Sequence, residues 1–213
     1  MKNLLFNFSQ EISWQQLFHH YQTPYFSYPP RYWLRQVLMR LFSPKMMQAA
    51  VLIAFHYNPK IKGYELLLTK RKADLHHHGG EISFPGGKKE ANDKTPADTA
   101  IRETEEEIHL CAQYIHPIVT LPPLNTVSGY AVYPVLAIVD QLPIIKSGST
   151  EVERLFIIPA SYLLNKTNYR FFYLKKWLPL KLAAIDYGLI RIWGLTAEIL
   201  YYLAQDGAGK IRT

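Results

Sequence analysis

The segment FPGGKKEANDKTPADTAIRETEEEIHL, residues 84–110, begins with a Pro-Gly-Gly turn and ends with four glutamates in five positions. Between them, Thr95 is a good N-cap for a helix, Pro96 suits the first helical position, and Asp98 stands where a capping-box acid reaches back. The sequence therefore predicts a helix that begins after Thr95 and carries the crowded acids toward its far end.

The helical period places three of the four glutamates on one face. With about 100° per residue and Glu103 at zero, Glu107 lies at about +40° and Glu106 at about −60°. Glu105 falls on nearly the opposite side. The acidic face borders an apolar stripe that is expected to pack on a sheet. This stripe consists of Ala97, Ala100, Ile101 and Ile108.

Like charges at this spacing destabilise a helix. The pairs Glu103/Glu107 and Glu103/Glu106 each cost about 0.2–0.5 kcal/mol, and acids in the last turn face the negative end of the helix dipole. Arg102 offsets part of this repulsion. A hard divalent cation such as Mg²⁺ would offset the rest, since it prefers oxygen ligands and is often shared with substrate phosphates. The alternative is a solvated acidic face, which is the commoner role of a glutamate-rich helix.

The turn before the helix favours the metal site. Phe84 follows an apolar segment and can anchor in the core, while Gly86 and Gly87 permit a close backbone approach that larger residues deny. A Gly-Gly turn alone is a common loop. Followed by an R-E-x-x-E-E helix 15 residues later, it is a much more specific pattern.

These residues resemble the Nudix box, in which a glycine and a variable loop precede the pattern R-E-U-x-E-E-x-G-U, with U an aliphatic residue. The chain departs from the pattern where Thr104 replaces an aliphatic residue and His109 replaces the last glycine. Its loop is also one residue longer than in the commonest box. The matching positions are Gly87, Arg102, Glu103, Glu106, Glu107 and Leu110.

The longer loop is similar to that of the coenzyme A diphosphatase subgroup of Nudix hydrolases. The upstream signature of that subgroup reads L-L-T-x-R, a further basic position, then G-x-x-x-F-P-G-G. Here Lys72 stands in place of a small residue and His76 in place of arginine. The ending W-G-x-T-A, residues 193–197, also resembles the subgroup, so the resemblance covers residues 48–204. The matching signature positions are Leu67, Leu68, Thr69, Arg71, Gly80, Phe84, Pro85, Gly86 and Gly87.

The resemblance implies an α/β (α+β) fold, the Nudix-like α/β/α sandwich with a mixed β-sheet, and metal-dependent hydrolysis of a diphosphate bond with Mg²⁺ or Mn²⁺. The substrate would be coenzyme A or acyl-CoA, and the products 3′,5′-ADP and 4′-phosphopantetheine or its acyl form. The implied metal ligands are Glu103, Glu107, Glu106 and the Gly86 carbonyl. The implied catalytic residues are Glu103, Arg102 and Glu106, with Glu106 a ligand or the general base.

Several substrate contacts are also expected. Glu151 or Glu153 would add a late carboxylate to the metal site. Arg71 and Lys70 would meet phosphate or, alternatively, form a solvated basic strand end. Tyr130 would stack on adenine, or else simply follow an ordinary turn. The full set of expected substrate contacts is Arg71, Lys70, His76, Gly87 and Tyr130.

The composition suits one domain with a substantial core, since 48% of the 213 residues are hydrophobic. The runs AAVLIAFHY and YELLLTK, joined by the turn-rich NPKIKG, predict a β-hairpin. Further strands are predicted for IVTLPP, YAVYPVLAIV, LFIIP, RFFYL and LIRIW, so that strands outnumber helices. We expect a Nudix hydrolase domain over residues 46–213. Residues 1–45 predict a helical arm that covers the core of the domain or contacts a membrane or partner.

The formal net charge of +7 predicts an anionic ligand. A small phosphorylated molecule is the leading expectation and nucleic acid is not expected, because no RNA-binding aromatic motif is present. No apolar run approaches the roughly 20 residues of a transmembrane helix. The single cysteine, Cys111, forms no internal disulfide and is expected in the core. These features predict a cytoplasmic protein, and they leave open whether it is a monomer or a homodimer.

Two alternatives to coenzyme A hydrolysis stay open at this point. A Nudix hydrolase of ADP-ribose, a dinucleotide or capped RNA needs the same acidic helix. A non-catalytic binding module with the same fold is disfavoured by the intact Glu103, Glu106 and Glu107, because a degenerate box usually loses an acid. The sequence therefore specifies the chemistry more firmly than the substrate.

Overall fold

The computed structural model describes residues 36–37, 45–74, 79–143, 151–173 and 181–206. The predicted N-terminal arm therefore lies outside the described residues except for positions 36, 37 and 45. None of the helices in the described part of the chain is long and apolar enough to cross a membrane.

Within the described residues, the main sheet has eight strands. They are β1 (Met47–Asn58), β2 (Gly63–Arg71), β3 (Ile82–Ser83), β4 (Gly86–Lys88), β5 (Ile115–Thr120), β6 (Leu124–Asn125), β7 (Tyr130–Val139) and β8 (Val152–Pro159). The order is β3-β2-β1-β7-β5, while β4 pairs with β1, β6 with β7 and β8 with β2. β1 and β7 run parallel and the other pairs are antiparallel. The sheet is therefore mixed, as predicted.

The predicted hairpin, β1 and β2, lies at the centre of this sheet. The two strands pair antiparallel, with Phe55 opposite Leu66. Both strands are nearly continuously buried, which is typical of strands that are covered on both faces.

The two hairpin strands diverge beyond their paired ends, and this divergence makes room for the glycine turn. The first half of β1 pairs with β4, and the last residues of β2 pair with β3. The link between β3 and β4 crosses the gap. There Phe84 is buried, as predicted, and the Pro85 carbonyl accepts a hydrogen bond from the Leu52 amide at 2.8 Å. The turn is thereby fixed to the sheet.

The acid-rich helix α1 (Pro96–Ile108) begins as predicted. The Thr95 hydroxyl accepts a hydrogen bond from the Asp98 amide at 3.2 Å, and the Asp98 carboxylate accepts one from the Thr95 amide at 2.8 Å. These reciprocal bonds complete the capping box. The predicted apolar stripe packs on the sheet, with Ala100 and Ile108 fully buried and Ala97 and Ile101 partly buried.

Two threonines share the buried face of α1, which the apolar pattern does not predict. Thr99 and Thr104 are both inaccessible to solvent. The Thr104 hydroxyl donates to the Ala100 carbonyl at 2.6 Å, one turn earlier. This bond satisfies the polar group that stands where the box pattern has an aliphatic residue.

The other face of the main sheet is covered by a smaller sheet and two helices. With α1 on the first face, this arrangement gives the predicted sandwich. The smaller sheet includes β10, whose sequence KLAAIDY has few of the β-branched or aromatic residues that mark strands, and which our strand assignment missed. The added elements are α2 (Ala160–Leu163), β9 (Tyr169–Tyr173), β10 (Lys181–Tyr187), β11 (Ile190–Trp193) and α3 (Gly194–Asp206).

The expectation that Cys111 lies in the core is wrong, because its thiol-bearing side chain is exposed. The preceding residue, Leu110, is only 2% exposed and takes the core position after the helix. The chain is extended at Cys111, so consecutive side chains point in different directions.

His109 ends α1 in the left-handed conformation, with φ 56° and ψ 32°. Its amide donates to the Glu105 carbonyl at 2.9 Å, which satisfies one of the last helical carbonyls. Glycine is the usual residue in this conformation, because a Cβ atom is strained there. The geometry explains why the box pattern has glycine at this position.

We predict that His109→Gly raises the free energy of unfolding by about 1 kcal/mol, because glycine removes the left-handed strain. Urea unfolding monitored by circular dichroism measures the change. His109→Ala is the matched control, since it removes the imidazole but keeps the strain. An equal gain in both variants would show that the side chain, and not the backbone, is responsible.

Candidate active site

Glu107 lies at the centre of the site, between α1 and the glycine turn. Its side chain is only 7% exposed. Its carboxylate accepts a hydrogen bond from the Gly86 amide at 3.2 Å and one from Arg71 Nη1 at 3.4 Å. Burial raises the pKa of Glu107 to about 7, although the Gly86 amide and Arg71 act in the opposite direction. The negative charges of Glu103 and Glu151 raise this pKa further.

Glu103 lies against the second glycine of the turn. A Cβ atom at Gly87 would lie 2.4 Å from the carboxyl carbon of Glu103, so only glycine leaves room for this carboxylate. Arg102 Nη2 donates to Glu103 Oε1 at 3.1 Å. Burial raises the pKa of Glu103, Arg102 lowers it, and the charges of Glu106 and Glu151 raise it again. Two partly desolvated carboxylates, Glu103 and Glu107, therefore face the Gly-Gly turn.

Arg102 holds the start of this acidic face in place. Its guanidinium donates to Glu106 Oε2 at 3.1 Å and to the Lys88 carbonyl at 2.9 Å, in addition to Glu103. It also forms two hydrogen bonds to Asp93, from Nε at 3.2 Å and from Nη2 at 3.1 Å. Arg102 thus ties the helix to the loop that precedes it.

Asp93 is the residue of the site that the sequence reasoning missed. It is buried and also accepts hydrogen bonds from the Thr99 hydroxyl at 3.0 Å and the Glu90 amide at 2.8 Å. Its pKa is lowered to about 2, chiefly by the hydrogen bond from Arg102. Asp93 lies in a variable loop nine positions before Arg102, and no periodic pattern links the two.

Glu106 differs from its two neighbours on the acidic face. Its side chain is 59% exposed, and its contact is with Arg102. Glu105 is also exposed and lies on another side of the helix, as predicted. The three glutamates that share a face by helical period therefore occupy three environments, which are buried for Glu107, half-buried for Glu103 and solvated for Glu106.

Glu151 joins this group from the position immediately before β8, whereas Glu153, within β8, does not. Arg71 Nη2 donates to Glu151 Oε2 at 2.6 Å, so the same guanidinium bridges Glu151 and Glu107. Glu153 instead accepts a hydrogen bond from Lys70 Nζ at 2.9 Å. Arg71 and Lys70 are thus paired with acids and do not form a bare basic strand end.

The two remaining expected substrate contacts are Tyr130 and His76. Tyr130 begins β7, and the Lys88 ammonium lies 5.7 Å from the centre of its ring. His76 falls outside the described residues.

The donor chemistry of the site suits a hard divalent cation. In the described part of the chain, no three His, Cys, Asp or Glu side chains are arranged to hold a metal ion. Arg102 and Arg71 instead donate hydrogen bonds to the carboxylates of Glu103, Glu106 and Glu107. Burial, and after it the charges of neighbouring carboxylates, raise the pKa values of Glu103 and Glu107, so a cation that binds oxygen would stabilise their charged forms.

Comparison with known proteins identifies the family. The model of the NUDIX domain matches residues 46–182, which is more than half of the chain. The chain belongs to the Nudix hydrolase family. Nudix hydrolases act on nucleoside diphosphate derivatives and generally use divalent cations, and this chain is an enzyme of that class.

Curated relatives support the assignment. A Yersinia enterocolitica protein described as an uncharacterized Nudix hydrolase NudL is 34% identical over 183 residues, which cover 83% of this chain and 89% of that protein. A protein of the same description from Photorhabdus laumondii is 35% identical over 159 residues, covering 74% of this chain and 83% of its own. Among solved structures, a MutT/nudix family protein from Enterococcus faecalis covers 77% of this chain and 61% of its own, at 15% identity and a TM-score of 0.47.

We predict opposite outcomes for alanine at the two glycines of this Nudix turn. Gly86 has φ +147°, and a Cβ there would lie 2.3 Å from the Ala50 carbonyl oxygen, so Gly86→Ala should lower the free energy of unfolding by about 2 kcal/mol or more. Gly87→Ala should stay folded, because the end of the Glu103 side chain can move, but its turnover should fall about 100-fold. Urea unfolding measures the first effect, and chromatography of the nucleotide product measures the second. Equal destabilisation of both variants would contradict this division of roles.

We also predict that Glu107 makes the protein less stable as the pH rises. The folded protein keeps a proton up to a pH of about 7, whereas the unfolded glutamate loses it near 4.5. The free energy of unfolding should therefore fall by roughly 2–4 kcal/mol between these pH values and not recover above them. Glu107→Gln should lack this contribution and be more stable than the wild type at pH 8.

Urea unfolding between pH 5 and pH 8 in the presence of a chelator measures this dependence. Glu105→Gln is the matched control, since Glu105 is exposed on the same helix. The assignment fails if Glu107→Gln shows the same pH dependence as the wild type.

Proposed function

We propose that this Nudix hydrolase is a Mg²⁺- or Mn²⁺-dependent diphosphatase of coenzyme A and acyl-CoA that releases 3′,5′-ADP and 4′-phosphopantetheine or its acyl form. The observation that carries the proposal is the pair of desolvated carboxylates, Glu103 and Glu107, that faces Gly86 and Gly87. Crowded acids with raised pKa values are typical of sites that bind a cation or transfer protons.

The substrate assignment is supported by what the signature residues do in the structure. Arg71, the arginine of L-L-T-x-R, bridges Glu107 and Glu151. The Thr69 hydroxyl donates to the Ser83 carbonyl at 3.3 Å, which ties β2 to β3 just before the glycine turn. Among the residues that resemble the coenzyme A subgroup, Arg71 therefore contacts the acids directly and Thr69 fixes the strand that leads into the glycine turn. The net charge of +7 also suits a substrate with a 3′-phosphate in addition to its diphosphate.

Each acid has a distinct part in this proposal. Glu103, Glu107 and the Gly86 carbonyl would hold the cation, and Glu151, which shares Arg71 with Glu107, would supply a further carboxylate. When bound, the cation neutralises charge on the diphosphate oxygens and lowers the pKa of a water molecule. Glu106 is a further ligand or the base that accepts the proton of the attacking water, and its exposure leaves it open to solvent.

The arginines position these acids. Arg102 holds Glu103 against Gly87 and also pairs with the exposed Glu106, while its own position is fixed by the buried Asp93. Before substrate binds, the positive charge of Arg71 compensates the negative charges of Glu107 and Glu151. Arg71 Nε is buried and has no hydrogen-bond partner within the described residues, so this guanidinium has an unused donor at the edge of the site.

We extend the proposal to a cytoplasmic enzyme, where a reducing environment would keep the exposed thiol of Cys111 free.

The test is a comparison of substrates with Mg²⁺ or Mn²⁺, in which coenzyme A, an acyl-CoA, ADP-ribose, NADH and capped RNA are supplied at equal concentration. Product analysis should show 3′,5′-ADP and phosphopantetheine formed with the highest kcat/KM, and a chelator should abolish turnover. A panel in which coenzyme A is the slowest substrate would refute the substrate assignment while leaving the Nudix chemistry intact.

Variants of the acids test the metal site in the same assay. Glu106→Gln and Glu107→Gln should each lower kcat by roughly two orders of magnitude or more while the protein stays folded, because each removes a charge that acts in the reaction. Glu105→Gln should keep normal turnover. Near-normal rates for the first two variants would reject the proposed site.

A further inference from the structure

A second concave site lies at the end of β2 and β8, beneath the turn that joins β10 to β11. Its volume is 420 Å³, within the roughly 300–1,000 Å³ of small-molecule sites. Phe156 and Ile190 contribute an apolar wall, and the charged lining consists of Glu153 and three cationic side chains. These cations are Lys70, Arg154 and Arg191. The pocket therefore combines an apolar wall with positive charge.

The position of the pocket relative to the acids follows from the strand period. Lys70 lines the pocket, whereas the next residue, Arg71, contacts Glu107 on the side of α1. Consecutive residues of a strand point to opposite faces of the sheet. The pocket and the acid cluster thus lie on opposite faces at the same end of β2. A substrate that occupies both must therefore cross this end of the sheet.

An irregularity in β8 shapes the pocket. Lys70 pairs with Arg154 but Arg71 pairs with Val152, so Glu153 is an extra residue that forms a β-bulge. As a result, Glu153 and Arg154 both line the pocket although they are adjacent in sequence. Bulges of this kind commonly turn a side chain toward a site.

The charges in the pocket leave one cation without a counterion. Lys70 pairs with Glu153 at 2.9 Å, and Arg191 pairs with Asp186 at 2.7 Å. Arg154 has no ion-pair partner within the described residues. A ligand that carries an anionic group would find an uncompensated guanidinium there, flanked by two paired cations.

We propose that this pocket binds the phosphoadenosine end of the substrate, with Arg154 bonding the 3′-phosphate and the apolar wall packing against the base. A purely apolar acyl chain would not require three cations, whereas a phosphate monoester matches the uncompensated charge. The inference rests on the proposed coenzyme A activity, because it assigns one end of that substrate.

Direct binding tests the pocket without relying on catalysis. Calorimetry with 3′,5′-ADP and 5′-AMP compares two ligands that differ by the 3′-phosphate alone. The wild type should bind 3′,5′-ADP about tenfold more tightly, the effect of one charge-assisted hydrogen bond. Arg154→Ala should remove this preference and Arg154→Lys should keep part of it. Lys60→Ala, which removes an exposed charge from the β1–β2 turn, is the matched control and should keep the preference.

Kinetics with coenzyme A and dephospho-coenzyme A provide the second measurement. Arg154→Ala should raise KM for coenzyme A about tenfold and leave KM for dephospho-coenzyme A and both kcat values unchanged. The proposal is overturned if the wild type binds the two nucleotides equally, or if Arg154→Ala keeps the preference. Absence of coenzyme A turnover in a wild type that prefers 3′,5′-ADP would instead contradict only the proposed activity.

Discussion

The Glu107 carboxylate is held almost entirely out of water, and the rest of the site is organised around the need to accommodate it. A buried carboxylate requires hydrogen-bond donors or positive charge. Here the Gly86 amide and Arg71 supply both, yet the pKa of Glu107 is still raised to about 7. The donors within the described chain therefore compensate only part of the cost of burying this negative charge. This is the physical basis for expecting an external cation. Catalytic sites commonly retain such an imbalance.

Much of the fold followed from local sequence signals. The capping box at Thr95 and the hairpin of β1 and β2 depend on residues that are near one another in sequence, so both were predicted. The left-handed end of α1 at His109 and the exposure of Cys111 were not. Both depend on how the chain leaves the helix, which is decided by the burial of Leu110 against the distant sheet. β10 was missed because alanines in a strand give no strong local signal.

The sequence proposed the members of the candidate site but not their surroundings. The helical period placed Glu103, Glu106 and Glu107 on one face, but it contains no information about how deeply each side chain is buried against the sheet. Burial separates them into three environments. Asp93, which fixes Arg102, could not be found because its partner lies across a loop of irregular structure. Contacts of this kind arise from tertiary packing, which a periodic pattern does not encode.

The bulge in β8 also bears on how relatives of this chain should be compared. Two acids separated by two positions would share a face of a regular strand, but here Glu151 contacts Arg71 and Glu153 contacts Lys70 on the other side. The length of this short stretch is therefore as informative as its composition. Loss of one residue from this stretch would exchange the faces of the sheet on which Glu151 and Glu153 lie, without changing either acid. In an alignment, a single gap next to these positions would be a functional difference, although every acid appeared to be retained.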